Sequence, residues 1–131
     1  MIPWRIDTSE FPLVYIDAAG DITPEQLEEH LTQYQALLDR GEPYTAVYDA
    51  SKVGTVDAQT RKRYAEFHSV NEEAFGQHCL GIGFVITSAL ARGALTAVLW
   101  VTGRLPFPHK TFAKREDAAK WAVKVLEDKY M

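Results

Sequence analysis

The chain has 131 residues, of which 47% are hydrophobic and 24% charged, and a net charge of −4. That length can bury a core as one domain over 1–131, and the acidic balance excludes a general nucleic-acid or anionic-membrane surface. A single cysteine, Cys79, excludes an internal disulfide and suits a reducing cytoplasm.

The opening Met1-Ile2-Pro3-Trp4-Arg5 lacks the basic start and apolar run of a secretory leader. Ile2 to Asp7 reads as a first strand and Phe11 to Asp17 as a second, with Ser9-Glu10 turning an antiparallel hairpin between them. Ala18 to Ile22 is expected to be a turn, with Gly20-Asp21 as its breaker. Thr23-Pro24-Glu25-Gln26 starts a helix: Thr23 caps it, Pro24 fills the first turn and Gln26 closes a capping box. Leu27, Leu31, Tyr34 and Leu38 then mark one buried face, and Gly41 and Pro43 end the helix.

Tyr44 to Tyr48 reads as an internal strand, and Asp49 to Thr55 as a connecting loop. A second helix is expected from Asp57 to about Phe75, with Tyr64, Phe67 and Phe75 inward, Gly76 closing it and Arg61, Lys62 and Arg63 outside. Leu80 to Ile86 has the length and β-branched content of a buried strand. Thr87 or Ser88 then caps a third helix, rich in Ala and Leu, that ends at Gly103. The apolar window Ala89 to Val101 contains Arg92 and is too short to span a bilayer, so a soluble cytoplasmic protein is expected. His109 to Ala113 follows two prolines and reads as an edge strand. Glu116 to Lys129 forms the last helix, with Ala118, Trp121, Val125 and Ala122 inward and its charges arranged as the helix dipole prefers.

The result is an α/β chain in the order β-β-α-β-α-β-α-β-α, a mixed sheet of about five strands with four helices, parallel in its later part. Ser51 and Ser88 follow strand ends, but neither lies in a nucleophile elbow. His30, His68, His78 and His109 are scattered without metal-ligand spacing, and Cys79 beside His78 reads as a buried thiol. Gly81-Ile82-Gly83 lies inside an apolar run, where glycines let a helix or another backbone approach the strand. Ligands of open α/β sheets gather beyond the strand carboxyl ends. Those ends carry Asp49, Ser51, Thr87 and Ser88, with Arg92 one turn beyond Ser88. Such a group suits an anion; its plainer reading is a helix cap plus an Arg92 ion pair with Asp49 or another acid. Leu95, Leu99 and Trp100 are left over from the face that covers the sheet. They fit either an interface or a cover made by the last helix and the Leu105-Pro106-Phe107 loop.

The segment Ala46-Val47-Tyr48-Asp49-Ala50-Ser51-Lys52-Val53, followed by Val56-Asp57 and a helix, resembles the anti-anti-sigma factors of the STAS superfamily. Those have a strand ending in an aspartate, a loop of this length, then a second aspartate and a serine pair opening a helix. The Gly81 to Val85 strand, the helix from Ser88 and the Phe112 to Trp121 ending are similar to the SpoIIAA-like, STAS/SEC14-type small bacterial domains. The resemblance implies a STAS/SpoIIAA-like fold and a non-enzymatic regulatory role. The surface would be the Asp49 to Asp57 loop, the start of helix two and the apolar helix three, the partner another protein or a second copy, and no cofactor is implied. It carries over an alternative as well, a lipid or nucleotide held near Arg92. The serine pair falls here on Ala58-Gln59, so the usual phosphorylatable serine is absent, with Thr60 or Thr55 as the nearest hydroxyls.

Overall fold

The computed structural model describes residues 4–87, 89, 92–93 and 105–130. Five strands form one sheet in chain order: β1 (Trp4–Asp7), β2 (Leu13–Gly20), β3 (Tyr44–Val53), β4 (Cys79–Val85) and β5 (His109–Phe112). The helices among the described residues are α1 (Pro24–Asp39), α2 (Ala58–Val70), α3 (Glu72–His78) and α4 (Arg115–Tyr130). β1 and β2 pair antiparallel and every later pairing is parallel. The mixed α/β architecture expected from the sequence is therefore the one observed. Ala89, Arg92 and Gly93 are helical, as the expected third helix requires. The other residues assigned to that helix, among them Ser88, Leu95, Leu99 and Trp100, lie outside the described residues, as does Ile2.

Strand side chains alternate between faces, and this divides the core. One face carries Trp4, Val14, Ile16, Ala18, Tyr44, Ala46, Ile82 and Phe84 and packs against α1, α2 and α3. The other carries Leu13, Val47 and Val85 beneath Ala118 and Ala122 of α4. In β4, Phe84 and Val85 point to opposite faces and both are buried, which is why that strand reads as a continuous apolar run. α4 lies chiefly over β3, β4 and β5. The two glycines of β4 permit this: a Cβ at Gly81 would stand 2.9 Å from the Trp121 ring, and one at Gly83 3.2 Å from Ala118 Cβ. The close helix approach read from Gly81-Ile82-Gly83 is thus what these residues provide.

Local chemistry sets the ends of α1. The Thr23 and Gln26 capping box is complete, and Gly41 stops the helix with φ +65° while its N–H reaches the Leu38 carbonyl. Four expectations are corrected. β2 continues through Ala18 and Ala19 to Gly20, and β3 continues to Val53, because each supplies the other's ladder where a turn and a loop were expected. The long second helix is broken at Asn71, whose backbone and side-chain N–H groups both donate to the Phe67 carbonyl. Gly76 accordingly lies inside α3 and does not end a helix.

Candidate functional site

The site is built where β2 and β3 outrun β4. Asp49 pairs with Val85, the last β4 residue, while β3 continues beside β2 to the Val53 and Gly20 pair. Between the Asp17–Asp49 pair and the Ala19–Lys52 pair, β3 advances three residues and β2 two. The additional residue is a β-bulge, a device that re-aims side chains at the edge of a site. A bulge leaves ladder groups unpaired, and Asp49 supplies the substitute. Its Oδ1 accepts the Ser51 backbone N–H at 2.9 Å and the Ser51 hydroxyl at 2.6 Å.

The register also sets Asp17 and Asp49 side by side on neighbouring strands, an arrangement that repels by itself. Arg115, the first residue of α4, resolves it. Its Nη1 donates to Asp17 Oδ1 at 2.5 Å and to Asp49 Oδ2 at 2.9 Å, and its guanidinium lies 4.4 Å from the centre of the Tyr15 ring. The Asp49 side chain is the most sheltered of the three, at 14% exposure against 38% for Asp17 and 43% for Arg115. Burial pushes the Asp49 carboxyl up, but the Ser51 and Arg115 hydrogen bonds outweigh it and hold the group below the usual carboxylate range.

The chain beyond β3 is tied down. Gly54 N–H donates to the Gly20 carbonyl and Thr55 N–H to Asp21 Oδ1 at 2.8 Å. A Cβ at Gly54 would fall 2.2 Å from Asp21 Oδ1 and 2.9 Å from the Gly20 carbonyl carbon, so no side chain fits. Asp57 then caps α2 by accepting the Thr60 N–H at 2.7 Å, and that backbone bond is the main reason its carboxyl lies below the usual range. Of the anticipated residues, Asp49 and Ser51 are thus brought together, and Asp57 is a helix cap at the end of the same connection. Arg92 is exposed on its helix; the cation that meets Asp49 is Arg115. Ser88, Leu95, Leu99 and Trp100 fall outside the described residues.

Sequence reading missed Arg115, Asp17 and Tyr15. No local signal pointed to Arg115, because Glu116 and Asp117 already supply the acidic first turn that the helix dipole favours. Sequence reading also missed two histidines of the aromatic layer, His30 fully buried and His68 half-buried. On the α1–α3 face, the Tyr48 hydroxyl donates to the Tyr64 oxygen at 2.9 Å, and Tyr64 lies 3.1 Å from His30 Nε2. His68 stacks on Phe75 with ring centres 4.6 Å apart. Burial lowers both histidines to about 4, against an opposing hydrogen bond with the Trp4 backbone at His30. His30 follows Leu27 by three residues and His68 follows Tyr64 by four, so both lie on the apolar helical stripe. Cys79 is buried as expected, and burial pushes its thiol up to about 12.

An open groove of about 630 Å³ runs between the start of α3 and the segment before β5, lined by Glu72, Leu105, Pro106, Phe107, Pro108 and His109. Among the described residues no group of three or more His, Cys, Asp or Glu side chains is placed to hold a metal ion. None of the described helices is long and apolar enough to cross a membrane.

No family model matches this chain, and no curated protein does. Among solved structures it is similar to an uncharacterized protein of the DUF3478 family with a SpoIIAA-like fold, from Shewanella loihica PV-4. The TM-score is 0.66, with 17% identity and coverage of 91% of each chain. The fold of this protein is SpoIIAA-like, a mixed sheet with helices on both faces.

Proposed function

We propose that the protein is a non-enzymatic regulatory interaction domain of STAS type, whose partner surface is the β2–β3 extension with the start of α2. The observation that carries this reading is the projecting, bulged end of β3, held by Asp49, Ser51 and Arg115 and tied to Asp21 through Thr55. A ribbon fixed in advance loses little entropy when a partner docks. The Ser51 hydroxyl is engaged by Asp49, which favours a structural over a nucleophilic role. A photo-crosslinking residue at Lys52, the exposed residue just past the bulge, should trap a discrete partner in cells, and Asp49→Ala should abolish the product. Absence of any adduct from Lys52 would refute the proposal.

A second reading rests on the groove beside Phe107, whose volume lies in the range of small-molecule sites. In that reading the protein carries a lipid or nucleotide. Native mass spectrometry of protein purified from cells should then show a co-purified small molecule; a bare chain mass would remove the idea.

A further inference from the structure

A different element carries a further inference, independent of the bulge surface. Among the described residues β1 is an edge strand, paired only with β2 in the sheet. Its exposed residues are Arg5 and Asp7, with half-buried Ile6 between them. Charges on a short edge strand usually deter pairing, but opposite charges two residues apart discriminate between registers. A second β1 added parallel and in register sets Arg5 against Arg5 and Asp7 against Asp7. A second β1 added antiparallel about Ile6 sets each Arg5 against the other copy's Asp7, on the same face of the sheet.

That face is already patterned to continue the arrangement. Arg5 pairs in register with Asp17, and Asp17 with Asp49, so a row of Asp49, Asp17 and Arg5 runs outward to the edge. A twofold about Ile6 extends this row with an Asp7 of opposite sign to Arg5. Asp7 is held ionised for such a contact: the Ser9 N–H donates to its Oδ1 at 2.9 Å, and that bond, with Arg5 nearby, keeps its carboxyl below the usual range. The twofold is isologous, so the same patch serves both copies and the assembly closes at two.

We infer that β1 is a self-association edge, which pairs antiparallel with β1 of a second copy and joins two five-stranded sheets into one. The test uses two charge reversals, Arg5→Asp and Asp7→Arg, in the full chain. Light scattering should find the unaltered protein dimeric. Each single variant replaces two attractive cross-strand pairs with two repulsive ones, and its dissociation constant should rise by about 30-fold. Mixing the two variants should restore the dimer as a heterodimer, because the Arg5→Asp chain presents a wholly acidic edge and the Asp7→Arg chain a wholly basic one. A monomeric parent, dimers that persist in both variants, or loss without recovery on mixing would each overturn the inference. The first outcome also covers an edge used by a strand of another protein, and circular dichroism of each variant alone identifies one that fails to fold. None of these results bears on crosslinking from Lys52, so the two ideas fail separately.

Discussion

Asp49 uses its two oxygens for two different tasks. Oδ1 completes the bulge through Ser51, and Oδ2 receives Arg115. Truncation to alanine should remove both and lower stability by about 1–3 kcal/mol, measured by urea denaturation. Asparagine retains the Oδ1 acceptor, so Asp49→Asn should cost less than Asp49→Ala; an equal loss would mean that the bulge does not depend on this side chain. Glycines give a second residue-scale prediction. A Cβ at Gly83 meets Ala118 Cβ at 3.2 Å and the Phe112 ring at 3.3 Å, and the first of these is anchored to a helix. Gly83→Ala should therefore destabilise by about 1–3 kcal/mol through overpacking, seen as a lower denaturation midpoint. At this scale the sequence disclosed which residues are special but not always whom they serve. Gly81, Gly83 and Asp49 were legible because their types are out of place in an apolar strand run. Arg115 was not, since 66 residues separate it from Asp49 and no local pattern links them.

At the level of elements, α1, α2 and α3 meet the sheet through an aromatic layer that contains His30 and His68. Both titrate at about 4 when folded, against an ordinary 6.5. Each depressed histidine means that the unfolded chain binds more protons between those values, so stability rises with pH across that window. Acidification from pH 6.5 towards 4 should accordingly weaken the fold. A further loss should follow below the ordinary carboxylate range, as Asp49, Asp57 and Glu28 lose their hydrogen bonds. His68→Phe should flatten the upper part of the pH profile, read from urea midpoints at successive pH values; an unchanged slope would contradict the assignment. The exposed Glu28–Arg63 pair, which also joins α1 to α2, should contribute at most about 1 kcal/mol. Element type was readable from periodicity, and the cap at Thr23 from its local signature. The ends of β2 and β3 were not, because a strand persists for as long as a neighbour supplies its ladder. The break at Asn71 likewise interrupts an apolar pattern that runs on from Phe67 to Phe75.

Across the molecule, Arg115 ties the helix on one face to two central strands. Replacing it with methionine keeps much of the packing on Tyr15 but removes the guanidinium that bridges Asp17 and Asp49. Amide exchange in β2 and β3 should then quicken beyond Tyr15 and Val47, while β1 of the unaltered protein serves as the reference; uniform exchange rates would show that the tie is not used. The primary structure by itself determined the class of fold. Its apolar spacing distinguishes strands from helices, and alternation of the two compels a largely parallel sheet with helices on both faces. Tertiary structure alone decided how far β2 and β3 extend, where the bulge falls, and which cation meets Asp49. Those outcomes depend on contacts between segments far apart in the chain. Local side-chain preference is almost indifferent to such contacts, and only the assembled sheet brings the partners within hydrogen-bonding distance.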